Sequence, residues 1–407
     1  MTLPAKATHR RTRAHNEALV LRAVYDYAPL SRADIARLTG LTRTTVSEVV
    51  GGLLDDGLVR EIGRGRSRGG KAPILLEVVE DARHVVGLDL GEQRFVGALV
   101  NLRGTVRVSR SVDVEDLDGD EALAAVYRLV DELVAASPRQ PLGIGVGTPG
   151  LVESTTGTIR WAVNLDWQNL PLGSLLRDRY GLPVRIVNDS QAAAYAEYLF
   201  AAGPRVPNLV AIKVGRGIGA GIVLGGELYQ GDAFGAGEVG HVRLVDDGEA
   251  CRCGRTGCLE TVASSRAVLA RAARLAAAHP DSPLHRAAAE GSLSLETLVA
   301  ALDAGDPLAR AVVEEAGRAL GRGVAAVVAT LNVRRIVLLG ALAVLGEPWL
   351  EAVRGEVARS ALGPLVAETE IVLGRSSSDI VVLGSSALVL SREVGLSLLG
   401  LGAAGRE

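Results

Sequence analysis

The sequence predicts an α/β protein of two similar halves, preceded by a small domain built mainly of helices. Three observations lead there. From His84 onward, short apolar runs alternate with longer amphipathic stretches, the pattern of strands followed by helices. The scheme starts over near Leu209, around a second glycine-rich turn. Before His84 the order differs: helical stretches come first, then two short strands around a basic loop.

Taken in order, residues 16–26 read as a helix offering Leu19, Val20 and Val24 to a core. Ser31 with Asp34 three residues on marks a helix start, continued by Ile35, Ala36 and Leu38 on one face. Thr39-Gly40-Leu41 makes a short turn, and Thr42 caps a second helix whose Val46, Val49, Val50, Leu53 and Leu54 face inward. Arg43, Thr44, Thr45, Ser47 and Glu48 are left outside. Two short helices joined by a three-residue turn with glycine form a helix-turn-helix, whose second helix enters the major groove of DNA. Strands at 58–62 and 74–78 flank a loop that sets Arg64, Arg66, Arg68 and Lys71 among glycines. Alone, such a loop reads equally well as a solvated basic linker. Behind a helix-turn-helix it reads as the wing of a winged helix, with cations for phosphates or a narrow minor groove. Residues 1–81 are therefore predicted as a DNA-binding domain. Arg43, Thr44, Thr45 and Ser47 face base edges there, while Arg64, Arg66, Arg68 and Lys71 hold the backbone.

The body opens with a strand–turn–strand hairpin at 84–100 and a helix at 120–136. A strand at 142–146 follows, with the loop Gly147-Thr148-Pro149-Gly150 behind it. The next strand, 183–189, ends in Asn188 and Asp189, which cap an alanine-rich helix at 190–200. The second half has a strand at 209–214, a glycine-rich turn at 215–221, a helical region to about 330, a strand at 335–339 and a further helix. Two such halves with a cleft between them suit a small ligand.

With 407 residues and 48% hydrophobic content, the chain has material for two or three cores. Only 3% of residues are aromatic, so those cores are built from Ala, Val and Leu. The net charge of −3 is uneven. Residues 1–80 hold 13 basic against 9 acidic side chains, a net of +4, and the remainder carries −7. A basic head on an acidic body implies a polyanion partner for the head alone. The polar, arginine-rich start carries no secretory signal, and the longest apolar run, ten residues from Ile336 to Leu345, is about half a membrane span. A cytoplasmic protein with no membrane partner is expected.

All three cysteines fall within eight residues, Cys251-Arg252-Cys253-Gly254-Arg255-Thr256-Gly257-Cys258, with nine residues between His241 and the first of them. The odd count excludes a purely intramolecular disulfide framework. Three thiolates and an imidazole form a closed tetrahedral set that zinc accepts, with no position open to water, so the expected Zn2+ is structural. The alternative is three free thiols and a packing histidine. Glu238 and Glu260 lie on the backbone such an ion would fix, and carboxylates accept hydrogen bonds from hydroxyls.

The run Gly217-Ile218-Gly219-Ala220-Gly221, then Gly231, Gly237, Gly240 and His241 with the cysteine loop behind it, resembles the ROK family of repressors, open reading frames and sugar kinases. The resemblance covers nearly the whole chain, including the winged helix of the family's repressor branch. It implies the two-lobed actin-like ATPase (ribonuclease H-like) fold, with lobes at 82–199, completed by 384–407, and at 200–383. It also implies zinc on His241, Cys251, Cys253 and Cys258, and a homodimer or homotetramer. The family's sugar-binding positions fall on Asn164, Asn188, Asp189, Glu238, His241 and Glu260, near the Gly147–Gly150 loop.

In kinase members the residue matching Asp189 is the general base. Their first hairpin reads Asp-x-Gly-Gly-Thr-Lys, where backbone must approach phosphate closely. Here it reads Asp89-Leu90-Gly91-Glu92-Gln93-Arg94. Glu92 puts negative charge where the γ-phosphate would sit, and like charges at ~4 Å repel by several kcal/mol at an effective dielectric near 20. The expectation is a sugar-responsive, DNA-binding regulator without catalytic residues, most simply a repressor of carbohydrate genes released from its double-stranded operator by a sugar effector. The alternative is an ATP-dependent sugar kinase that kept its DNA-binding head, with Asp189 catalytic.

Overall fold

The computed structural model describes residues 9–66, 72–114, 117–199, 206–374 and 379–394. They form two compact units, one running to Val187 and resuming at Val382, the other spanning Asn188–Val381.

The first unit begins with α1 (His9–Tyr27), β1 (Leu30–Ser31), α2 (Arg32–Thr39), α3 (Arg43–Asp55), β2 (Val59–Arg64) and β3 (Ile74–Val78). Local chemistry sets the ends. Ser31 and Asp34 form a reciprocal capping box on α2, Gly40 closes it in the left-handed region, and the Thr42 side chain accepts from Thr45 N to start α3. Ile35, Val46, Val50 and Leu53 are buried, whereas Val49 and Leu54 are half-buried. Leu38, expected on the inner face, is 52% exposed. In a helix of eight residues only Ile35 reaches the core, and Leu38 falls in the last turn beside the Gly40 reversal. The three strands pair in the order β1-β3-β2.

This head is fastened to the body within the same unit. Tyr25, at the end of α1, is buried, and its hydroxyl donates to Leu102 O at 2.9 Å. Arg103 stacks over the Tyr25 ring at 4.1 Å and donates to Tyr25 O at 2.8 Å. Burial, with some offset from Arg103, raises the Tyr25 pKa, so the phenol stays a donor.

The body of the unit contains β4 (His84–Leu90), β5 (Arg94–Asn101), β6 (Val106–Asp113), α4 (Gly119–Ala136), β7 (Ile144–Thr148), β8 (Leu151–Glu153), β9 (Thr158–Ala162), β10 (Trp167–Leu170), α5 (Leu172–Tyr180) and β11 (Val184–Asn188). Gly147 and Thr148, expected in a loop, finish β7 because Gly147 still pairs with Asp89. The main sheet runs β11-β7-β4-β5-β6, and a side sheet runs β10-β9-β8. Val86, Leu88, Phe95 and Leu99 pack against Leu129, Val130 and Leu133 of α4.

The second unit starts with α6 (Asp189–Glu197), which packs on β12 (Leu209–Val214) and β13 (Ile218–Leu224). It continues through β14 (Glu227–Tyr229), α7 (Glu260–Ala263), α8 (Ser265–Ala276), α9 (Pro283–Ala289), α10 (Leu295–Asp303), α11 (Pro307–Leu331), β15 (Arg335–Leu339), α12 (Gly346–Ser360), α13 (Gly363–Ala367) and β16 (Glu370–Leu373). The expected turn at 215–221 is shorter: Ile218 already pairs with Val214. Its sheet order, β14-β13-β12-β15-β16, repeats that of the first unit: a three-strand meander, then two strands added beyond its first member. That repetition is the two-lobed architecture the sequence predicts. Val210, Ile212, Leu338, Val312 and Trp349 belong to its core. The chain then passes through α14 (Ile380–Val389) into a short π-helical turn, Leu390–Val394, and the remainder of the expected 384–407 helix lies outside the described residues.

Candidate functional site

The cysteine loop is held by its own backbone before any ion is considered. Bridges between Arg243 and Cys258 and between Ala250 and Thr256 fold it back on itself. The ligand atoms of His241, Cys251, Cys253 and Cys258 then lie within 4.8 Å of one another. Cys253 Sγ is 3.7 Å from Cys258 Sγ, and Cys251 Sγ is 3.5 Å from His241 Nδ1. A tetrahedron with metal–sulfur bonds of about 2.3 Å has edges near ~3.8 Å, so the spacing suits one four-coordinate ion and is far too long for a disulfide. Burial pushes the Cys258 thiol up to about 12, and Cys253 and Cys251 beside it add to the shift. A central dication reverses that preference and favours the thiolates. These four residues can hold a metal ion.

With Nδ1 facing the sulfurs, His241 turns Nε2 toward Glu238 Oε2, 3.8 Å away. A carboxylate that hydrogen-bonds the outer nitrogen fixes the tautomer of a ligating histidine, and at 3.8 Å Glu238 lies near that nitrogen without bonding it. Burial raises the pKa of Glu238, His241 pulls it back, and Asp189 and Glu260 raise it again. Gly237 beside it has φ +101°, and a Cβ there would sit 1.8 Å from Ala220 O, so only glycine lets this segment lie on β13.

Glu260, the first residue of α7, accepts from Ile218 N at 3.1 Å and lies 3.8 Å from Arg266. A Cβ at Gly217 would come within 2.8 Å of Glu260 Oε2, so that glycine admits the carboxylate to the turn. Glu260 thus ties the cysteine loop to the turn between β12 and β13.

Asn188 is the N-cap of α6, its Oδ1 accepting from Ser190 N and Gln191 N. Asp189 Oδ1 accepts from Ser190 N at 2.7 Å, and Oδ2 meets Lys213 Nζ at 2.5 Å. Burial pushes the Asp189 carboxyl up, but the Lys213 charge and the Ser190 donors outweigh it, and the pKa ends below the ordinary value. The sequence reading did not place Lys213 here. The available signal was one lysine inside the otherwise apolar strand Leu-Val-Ala-Ile-Lys-Val, at a position opposite Gly219.

Asn188, Asp189, Glu238, His241 and Glu260 all belong to the second unit. Asn164 belongs to the first, on the turn Val163–Leu165, where its Nδ2 donates to Glu92 Oε1 at 2.6 Å. That partnership is also absent from the sequence reading, since 72 residues separate the two. In the head, Arg43, Thr44 and Ser47 are exposed on α3, while Thr45 is half-buried with its hydroxyl 2.9 Å from Thr42 Oγ1. Arg64 and Arg66 are exposed, and Arg68 and Lys71 lie outside the described residues. No helix among the described residues is long and apolar enough to cross a membrane.

Residues 85–392 match the ROK family, and residues 12–68 match the MarR family. The chain belongs to the ROK family. It is 32% identical over 387 residues to the xylose repressor of Caldicellulosiruptor bescii, covering 94% of this chain and 97% of that protein. Among solved structures, a ROK family transcriptional regulator homologous to the Escherichia coli MLC protein superposes with a TM-score of 0.82 at 29% identity, over 96% of this chain and 98% of that one. The ROK glucokinase of Streptomyces griseus, in complex with glucose and AMPPNP, superposes with a TM-score of 0.69 at 27% identity, over 75% of this chain and 98% of that one. This ROK chain thus joins a MarR-type winged head to the ROK body.

Proposed function

We propose that this ROK protein is a sugar-responsive transcriptional regulator, a cytoplasmic repressor that leaves its operator when a sugar binds. One observation carries the reading. A single chain joins an exposed recognition helix, with Arg43, Thr44 and Ser47 outward, to a body whose cysteine loop holds Glu238 and Glu260 in place. Resemblance in sequence to a protein named as a xylose repressor, over nearly the full length of both, supports it.

Zn2+ on His241, Cys251, Cys253 and Cys258 is the ion that best fits three sulfurs and one nitrogen, and its part is to brace the loop. The protein's own groups would bind the ligand: Asn164, Asn188, Asp189, Glu238, His241 and Glu260 as partners for hydroxyls. Arg43, Thr44, Thr45 and Ser47 face bases, and Arg64, Arg66, Arg68 and Lys71 face phosphates or the minor groove. A homodimer, or a tetramer of two such dimers, presents two heads to two half-sites. Linkage then requires the sugar to favour the form whose heads do not match that spacing.

Two features argue against phosphoryl transfer. Glu92 carries negative charge in the first hairpin turn, and Asp189 is a weakened base beside Lys213. The test is fluorescence anisotropy of the purified protein on DNA from its own promoter, with a panel of sugars and, separately, with sugar plus ATP and Mg2+. At least one sugar should weaken binding about tenfold or more without ATP. ATP-dependent phosphorylation of a hexose, lost in Asp189→Asn, would instead establish a kinase.

A further inference from the structure

Opposing contributions meet at the end of α1, where the head joins the body. The last turn of α1 holds no basic residue, and its carbonyls carry the negative end of the helix dipole. Arg103, on the turn between β5 and β6, supplies the cation from the body. It donates to Tyr25 O at 2.8 Å and stacks on the Tyr25 ring at 4.1 Å, while the Tyr25 hydroxyl donates to Leu102 O. The body side of this contact is held in place. Asn101 is fully buried, and its Oδ1 accepts from Arg103 N at 3.0 Å and from Thr105 N at 2.9 Å. Its Nδ2 donates to Asp81 Oδ1 at 3.1 Å, and Arg107 grips the same carboxylate with two bonds of 2.7 Å.

Asp26 works against closure. It stands in the same last turn, where a carboxylate meets the helix dipole unfavourably. Its side chain is 9% exposed, and Oδ1 is buried with no hydrogen-bond partner among the described residues. Arg22 Nε lies 3.4 Å from Oδ2, long for a bond. Burial pushes the Asp26 carboxyl above its ordinary value, and Arg22 and Arg103 pull it back only in part, so its charge carries a net cost. Elsewhere the seam is unfilled: a cavity of about 230 Å³ opens between Gly57 of the head and His84, Pro138 and Arg139 of the body.

We infer that this joint is a latch with two positions: Tyr25 and Arg103 close it, and the unpartnered Asp26 leaves the closed position only narrowly preferred. Opening hydrates Asp26 as it breaks the Arg103 contacts, so gain and loss nearly offset, which is what a switchable element requires. The inference draws on DNA binding by the head and not on where a sugar binds.

Hydrogen exchange read by mass spectrometry tests this in the full-length protein without sugar, using wild type, Arg103→Ala, Asp26→Asn and the double variant Arg103→Ala/Asp26→Asn. Exchange in peptides covering 22–28 and 101–105 should speed up about threefold or more in Arg103→Ala and slow by a similar factor in Asp26→Asn. A merely structural role for the two residues would speed it in both. On promoter DNA, followed by anisotropy, Arg103→Ala should shift affinity about threefold or more, and adding Asp26→Asn should bring it back toward wild type. Circular dichroism checks each fold, and Arg103→Met or Asp26→Leu takes the place of a variant that does not fold. Exchange that Asp26→Asn speeds or leaves unchanged would overturn the inference. So would promoter affinity that Arg103→Ala leaves within twofold of wild type, or a double variant no closer to wild type than Arg103→Ala.

Discussion

Replacing Lys213 by methionine removes a charge while keeping most of the side-chain volume. The Lys213 and Asp189 side chains are 25% and 17% exposed, with Nζ 2.5 Å from Oδ2. Removing one member of a buried pair costs about 3–5 kcal/mol, and the residual water access here puts the expected loss near ~2–3 kcal/mol at neutral pH. For a unit the size of Asn188–Val381 that is a fall of about 4–12 °C in melting temperature. The pH dependence identifies the cause. In the wild type the Asp189 pKa lies below its ordinary value of 3.8, so its stabilisation is complete above that value and is lost as pH falls through the folded pKa. Without Lys213, burial outweighs the Ser190 donors and the pKa rises above the unfolded value. The buried carboxylate then destabilises at neutral pH and stops doing so once it is protonated. Differential scanning calorimetry of Lys213→Met and wild type at about pH 7 and about pH 4.5 should therefore show a deficit that shrinks on acidification. An equal deficit at both, or none at neutral pH, refutes the argument that this pair sets the Asp189 charge.

Three further outcomes are expected. If zinc occupies the cysteine cluster as proposed, Cys253→Ser should abolish its binding, read as metal released per chain in a colorimetric chelator assay, and weaken sugar binding about 10-fold or more while DNA binding without sugar persists. Gly237→Ala must place a Cβ 1.8 Å from Ala220 O at φ +101°, so thermal unfolding should show a loss of about 3 kcal/mol or more. Tyr25→Phe leaves Leu102 O without its buried donor, so it should cost about 1–2 kcal/mol and speed limited proteolysis between head and body.

Elements whose ends are written in neighbouring residues were legible in the sequence. Ser31 with Asp34 announced α2 and Thr42 announced α3, and the apolar run Arg335–Leu339 stands as a strand at those bounds. The region ending near 330 was legible only as helical, although its divisions were signalled by Ser264, Ser282-Pro283, Ser294 with Thr297, and Asp306-Pro307, each at a helix start. The cysteine cluster was readable because its members are close in sequence, and backbone bridges bring His241 to them. What escaped were pairings between distant side chains. Lys213 finds Asp189 across 24 residues and Glu92 finds Asn164 across 72, and although a lone lysine in an apolar strand signals a polar partner, no local pattern says which residue it is. Leu38 escaped for a different reason, since a helix too short to bury every apolar residue leaves its last turn outside.

The account stands or falls on whether a sugar held by the body changes what the head does on DNA. The direct measurement is the affinity of the full-length protein for a duplex from its own promoter, followed by anisotropy at fixed salt as D-xylose, D-glucose and other simple sugars are added one at a time. The account predicts that one of them shifts that affinity by about tenfold or more with no nucleotide present, and that Cys253→Ser blunts the shift. Promoter affinity that no sugar alters, in a protein that binds the duplex tightly, would contradict it.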